Sequence, residues 1–275
     1  MPAQNSYDMI AIDMDGTLLS SRLTVTPMTV AAIQEAMAAG REVVFCTGRS
    51  VSELRPYLAP FAGMHYAVCE AGACLYDLRA ERTLVQESFT REQTSEIVEI
   101  IRDCDVMASI YREGWTYTNL PDSSRMGRYN MADYAATFEQ STHWWPNLLR
   151  EMPQEGVAYN KFVLFFHDQE ERERVWQELI RLPVCTITCT RGNIEVSPQG
   201  IDKGKGLRRL CEQVGIPLSR VIAVGDSEND LPMLNVAGLA VAMGNAIPEA
   251  KRAAAVVVSD NDNDGVAEAI KDYLL

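Results

Sequence analysis

The stretch Tyr7-Asp8-Met9-Ile10-Ala11-Ile12-Asp13-Met14-Asp15-Gly16-Thr17 decides how this chain is read. A short apolar run ends abruptly on two carboxylates one residue apart. Two further runs end the same way on a polar residue: Val43-Val44-Phe45-Cys46 before Thr47, and Val221-Ile222-Ala223-Val224-Gly225 before Asp226. Continuous apolar runs of this length read as strands covered on both faces, the pattern of a parallel sheet. In an open parallel sheet ligands bind beyond the carboxyl ends of the strands. Asp13, Thr47 and Asp226 are therefore expected along one edge of one sheet.

The intervening segments support that reading. Thr26 is placed as an N-cap and Pro27 as the first helical residue, with Val30, Ile33 and Met37 at helical spacing and Gly40 as the stop. A second helix is expected from Ser50 or Ser52, interrupted by Pro56, and a third strand over Tyr66–Cys69. The same alternation returns late in the chain. There a helix ends at Gly215, strands cover Val221–Val224, Leu239–Met243 and Ala255–Val258, and a closing amphipathic helix covers Val266–Leu274. The predicted fold class is α/β, a Rossmann-like parallel-sheet core. The middle differs: helical stretches (Glu92–Asp103, Gln169–Arg181) sit beside alternating strands (Ser109–Thr118, Lys161–Phe166, Cys185–Thr190). The expected organisation is a core of residues 1–83 and 192–275 with an α+β domain, 84–191, inserted into it.

Composition narrows the function. The 275 residues are 47% hydrophobic and carry a formal net charge of −13. That charge argues against nucleic acid or an anionic membrane as the partner. No apolar stretch reaches the length of a membrane span, and Met1–Ser6 lacks the features of a secretory leader. The seven cysteines contain no Cys-x-x-Cys pair and read as reduced core residues of a cytoplasmic protein. The three histidines, His65, His143 and His167, are too dispersed to suggest a metal site.

Taken singly, each motif residue has an ordinary explanation. Asp226 could cap a helix, Thr47 could close a turn, and Lys203 could be a solvated surface lysine. Asp13 and Asp15 are less easily dismissed, because two adjacent carboxylates repel unless something cationic lies between them. The joint pattern of carboxylates, hydroxyl and ammonium points to a divalent cation and a phosphate.

At these residues the chain resembles the haloacid dehalogenase superfamily of phosphatases. The strings are Asp13-Met14-Asp15-Gly16-Thr17-Leu18-Leu19, Thr47-Gly48-Arg49, Lys203-Gly204, and Gly225-Asp226-Ser227-Glu228-Asn229-Asp230-Leu231-Pro232-Met233-Leu234. Val241-Ala242-Met243-Gly244-Asn245-Ala246 and Asp264-Gly265-Val266-Ala267 add to them. The long gap between Thr47 and Lys203 is similar to the Cof-type branch, whose large cap is inserted there and sets substrate specificity. One departure is Glu70-Ala71-Gly72-Ala73, where that branch carries Asn-Gly-Ala.

The resemblance implies Mg²⁺-dependent hydrolysis of small phosphorylated metabolites, sugar phosphates among them, through an aspartyl-phosphate. It makes Asp13 the nucleophile and Asp15 the general acid and base. Asp13, the Asp15 carbonyl and Asp226 would hold the metal, supported by Asp230. Met14, Thr47, Gly48, Lys203 and Asn229 would hold the phosphate. Cap candidates for the leaving group are Arg125, Arg128, Tyr129, His143, Trp144 and Trp145. A phosphosugar mutase of the same superfamily and a non-catalytic phosphometabolite-binding protein remain as alternatives. A dehalogenase is disfavoured, because that chemistry needs neither a metal nor Asp15. The oligomeric state is not read from the sequence.

Overall fold

A computed structural model describes residues 7–121, 123–152, 156–188 and 193–275. The strands, in chain order, are β1 Met9–Ile12, β2 Glu42–Cys46, β3 Tyr66–Cys69, β4 Cys74–Asp77, β5 Arg82–Gln86, β6 Val106–Arg112, β7 Trp115–Thr118, β8 Thr142–Trp144, β9 Lys161–Phe166, β10 Val184–Ile187, β11 Ile194–Pro198, β12 Val221–Gly225, β13 Leu239–Ala242 and β14 Val256–Val257. The chain divides into two compact units: residues 1–48, 57–85 and 202–275, and residues 49–56 and 86–201.

The first unit is an α/β layered structure on an eight-stranded sheet in the order β14-β13-β12-β1-β2-β3-β4-β5. The pairs from β14 across to β3 are parallel, and β4 returns antiparallel to β3. The central strand β1 is buried at every residue, which is why its sequence is apolar without alternation. Ile12 registers with Val224 of β12 and with Phe45 of β2. Asp13, Thr47 and Asp226 therefore leave three adjacent strands at the same edge. The first helix starts as its sequence dictates: the Thr26 side chain accepts from the Thr29 N–H, and Pro27 occupies the first turn. In the second unit, Ser50 and Glu53 form a reciprocal capping box on the short helix Val51–Leu54.

The second unit carries a six-stranded sheet ordered β10-β11-β9-β6-β7-β8. One face is apolar: Val106, Ala108 and Ile110 of β6, Phe162 and Leu164 of β9, and Ile194 and Val196 of β11 share a core with Ile97, Val98, Val175 and Leu179 of two helices. The alternate residues mix apolar side chains such as Met107 and Val163 with polar ones that are also buried, Ser109, Lys161, Glu195 and Ser197.

Several sequence expectations need correction. Ser109–Thr118 is a hairpin of β6 and β7, because Glu113 and Gly114 both take positive φ and reverse the chain. β4 and β5 extend the sheet beyond the expected strands. The closing helix is α-helical only over Gly265–Ala269 and continues as a π-helical turn over Ile270–Leu274. The units divide at 85/86 and 201/202, where the sequence reading put 83/84 and 191/192. Residues 191 and 192, like Met1–Ser6 and the end of the Cys185–Thr190 strand, lie outside the described residues. β11 joins the second sheet because Ile194 registers with Leu164 and completes its apolar face. Among the described residues no helix is long and apolar enough to cross a membrane.

The loop after β3 braces the functional edge. Glu70, Ala71 and Gly72 all take left-handed φ (57°, 56° and 99°), a run that is costly for the two residues bearing a Cβ. It is held by the Ala71 N–H, which donates to the Thr47 carbonyl at 3.0 Å. A Cβ on Gly72 would lie 2.1 Å from the Asp202 carbonyl oxygen. Gly72→Ala is expected to lower stability by roughly 2 kcal/mol or more, read as a drop in the denaturant midpoint. An unchanged midpoint would show that the loop does not brace the edge.

Candidate active site

Lys203 opens the helix Lys203–Val214, whose N-cap Asp202 accepts from the Lys205 N–H at 2.7 Å. The helix can approach so closely because it starts Lys-Gly-Lys-Gly. A Cβ on Gly204 would lie 2.4 Å from the Pro232 carbonyl oxygen. The Lys203 side chain is thereby driven into the core, 1% exposed, and its Nζ lies 2.5 Å from Asp13 Oδ1 and 2.6 Å from Asp230 Oδ1. Asp13 is 4% exposed, Asp226 8% and Asp230 fully buried.

Asp230 is already committed. Its second oxygen accepts from the N–H groups of Asp226 (2.9 Å) and Ser227 (3.0 Å) and from the Ser227 hydroxyl (3.2 Å). It thus fixes both Lys203 and the turn that carries Asp226. Asp226 Oδ1 accepts from the Thr17 hydroxyl at 2.8 Å. Carboxylate oxygens of Asp13, Asp226 and Asp230 all lie within 4.8 Å of one another.

Three carboxylates against one ammonium leave two negative charges uncompensated when all are ionised. Burial works against the charge on Lys203, but Asp13 and Asp230 outweigh it and hold the ammonium well above its ordinary pKa. Burial and the neighbouring Asp230 raise the Asp13 carboxyl, although Lys203 pulls the other way. The same two causes, burial and Asp230, push Asp226 up to about 7, opposed by Thr17 and Lys203. Hard oxygen donors with excess negative charge fit a small divalent cation such as Mg²⁺.

The remaining sequence-predicted residues fall around this cluster. Asp15, half-buried, is close enough to raise Asp226 electrostatically. Met14 is buried beside Asp13. Thr47 is fully buried, its N–H donating to the Val68 carbonyl at 2.8 Å, and Gly48 follows it at the end of β2. The Asn229 side-chain oxygen accepts from the Ser227 hydroxyl at 2.8 Å. Thr17 was missed as a site residue. It stands in the quoted Asp13–Leu19 string, but only the fold brings its hydroxyl to Asp226, 209 residues away in sequence.

Four of the cap candidates, Arg128, Tyr129, His143 and Trp145, have partners within the second unit. Arg128 and His167 pair with Asp105, which also accepts from the Tyr129 hydroxyl. His143 lies against the rings of Trp115 and Tyr117, with centroids 4.7 and 5.6 Å away. Trp145 packs edge-on to Tyr117 and donates its indole N–H to Glu151. Trp144 is exposed.

The family model for haloacid dehalogenase-like hydrolases matches residues 10–270. The pyridoxal phosphate phosphatase YbhA of Escherichia coli is 28% identical over 268 residues, 97% of this chain and 98% of that one. The 5-amino-6-(5-phospho-D-ribitylamino)uracil phosphatase YcsE of Bacillus subtilis is 29% identical over 270 residues, 97% and 96% of the two chains. A solved haloacid dehalogenase-like hydrolase from B. subtilis superposes with a TM-score of 0.85 at 26% identity, covering 97% of this chain and 99% of the other. The chain belongs to the haloacid dehalogenase-like hydrolase family and is a phosphatase, a phosphoric monoester hydrolase.

The raised Asp226 has a measurable consequence. Its pKa of about 7 in the fold exceeds the 3.8 of an ordinary Asp, so it lowers metal-free stability as pH rises from about 4 through 7. A bound dication removes that penalty but must displace the proton at low pH. Mg²⁺ is therefore expected to raise the melting temperature at pH 8 and much less at pH 5.5. Equal gains at both pH values would contradict the assignment of Asp226 as an uncompensated carboxylate.

Proposed function

We propose that this phosphatase hydrolyses monoesters of small phosphorylated metabolites through an aspartyl-phosphate formed on Asp13. The observation that carries the reading is the buried Lys203 bridging Asp13 and Asp230 beside Asp226. Lys203 engages Oδ1 of Asp13, which leaves Oδ2 to attack phosphorus. Lys203, the Thr47 hydroxyl, the Asn229 side chain and the N–H groups of Met14 and Gly48 would hold the phosphoryl oxygens. Such contacts matter because phosphoryl transfer depends on positioning and charge stabilisation more than on covalent help.

Asp15 donates a proton to the leaving oxygen, then takes one from the water that cleaves the acyl phosphate. Asp13 and Asp226 would bind Mg²⁺ through their carboxylates and Asp15 through its carbonyl, with Asp230 orienting the set from behind. Mg²⁺ supplies, when bound, the positive charge that lets a phosphate dianion approach this acidic site.

The second unit is proposed to choose the leaving group. What supports this is the polar group buried on the other face of its sheet, where Lys161 pairs with Glu195 at 2.6 Å and lies 5.5 Å from the Tyr111 ring centroid. A buried ion pair roughly breaks even in stability, so its presence fits recognition better than folding. YbhA and YcsE, named for two different phosphate esters, suggest a phosphorylated heterocycle or polyol as substrate class.

Free inorganic phosphate is the expected product in a Mg²⁺-supplemented screen of phosphorylated metabolites, and Asp13→Asn is expected to lose at least about 10⁴-fold in kcat. An isomerised phosphosugar without phosphate release would indicate a mutase. Near-normal turnover by Asp13→Asn would remove Asp13 from the chemistry.

A further inference from the structure

The turn that carries Asp15 is tied from outside by two asparagines that the proposed chemistry does not use. Within the turn the Leu18 and Leu19 N–H groups donate to the carbonyls of Asp13 (3.2 Å) and Met14 (2.8 Å). Asp15 and Leu19 face each other as a bridge. Two other carbonyls of this turn are held by side chains. Asn245 Nδ2 donates to the Gly16 carbonyl at 2.8 Å, and Asn261 Nδ2 donates to the Leu19 carbonyl at 2.9 Å. The asparagines are also coupled to each other, since the Asn261 N–H donates to Asn245 Oδ1 at 3.1 Å.

Asn261 sits in the string Asp260-Asn261-Asp262-Asn263-Asp264-Gly265, which matches the first six positions of a calcium loop, but Lys271 stands where that loop needs its closing glutamate. Its carboxylates diverge instead of converging. Asp260 accepts from the Asp262 N–H and the Asn263 side chain, Asp262 from the Ser21 N–H, and Asp264 from the hydroxyls of Thr26 and Thr29. Asp262 and Asp264 thus stitch this loop onto residues 21–29, which brings Asn261 against the turn.

We infer that Asn245 and Asn261 form a clamp that positions Asp15 for proton transfer to the leaving group. The inference rests on the proposed role of Asp15. Gly16 takes φ 83° and packs so closely on Asp226 that a Cβ there would lie 2.6 Å from Oδ2. Its peptide can therefore pivot in ways a residue with a Cβ resists, and the Asn245 amide is what holds the carbonyl one residue past Asp15. Asn245 is exposed, so its loss removes this tie without opening a core cavity.

The test separates proton transfer from general damage. Glycerol 2-phosphate leaves as an alkoxide that needs a proton, whereas 4-nitrophenyl phosphate leaves as a stable phenolate that does not. With Mg²⁺ present, kcat/KM is measured on both esters for the wild type, Asn245→Ala, Asn261→Ala and Asp15→Asn. Each asparagine variant is expected to lose at least about tenfold more on the alkyl ester than on the aryl ester, a fraction of what a general acid typically contributes. Equal losses on the two esters, or none, would overturn the clamp. Asp15→Asn is the control for the underlying role: it should show the largest split. If it shows no split, the acid assignment itself fails; if it shows one and the asparagine variants do not, only the clamp fails.

Discussion

A lysine ammonium buried between carboxylates is the interaction on which the first unit depends. Removing charge from water is expensive, and a buried ion pair is tolerated only where geometry and further hydrogen bonds complete it. Lys203 meets that condition through two carboxylates, Asp13 and Asp230, and Asp230 completes it by accepting three more bonds from the Asp226 turn. Much of the surrounding sequence follows from this. Gly204 lets the Lys203 helix reach the Pro232 backbone, and Gly72 lets the loop after β3 reach the Asp202 carbonyl. Those contacts set where the ammonium stands.

The same arrangement leaves Asp226 and one oxygen of Asp13 without full compensation, which is a useful imbalance. A site that was electrically complete would have no reason to bind a cation or a phosphate. An acidic protein of net charge −13 gains a phosphate-binding edge only where positive charge can be concentrated locally. Fold and chemistry are thus linked at one point: the strand ends that bury the sheet also gather the charges.

How much was legible in the sequence follows from the range of each interaction. Strands β1, β2 and β12 could be read because a fully buried strand is apolar throughout, and the polar residue that ends it is conspicuous. The helix start at Thr26 could be read, and the next narrowed to Ser50 or Ser52, because capping is local. The β6–β7 hairpin was hidden, because Ser109–Thr118 alternates straight through a turn made by Glu113 and Gly114. Thr17 and Asn245 were also hidden. Both stand in strings quoted for the resemblance, but each acts on a group more than 200 residues away, so its partner could not be read from local sequence. The second unit resisted for another reason. Its aromatic residues, prominent in the sequence, pack on one another, while the polar pair Lys161 and Glu195 sits unremarkably on alternating strands.

Whether Asp13 itself takes the phosphoryl group is tested most directly by acid-quenching the enzyme during Mg²⁺-supported turnover and mapping phosphate on its peptides by mass spectrometry. A carboxylate nucleophile at the end of β1 predicts an acyl phosphate on the peptide containing Asp13, lost on treatment with hydroxylamine and absent from Asp13→Asn. Rapid turnover with no phosphorylated peptide under conditions that trap acyl phosphates, or phosphate on a different residue, would contradict it.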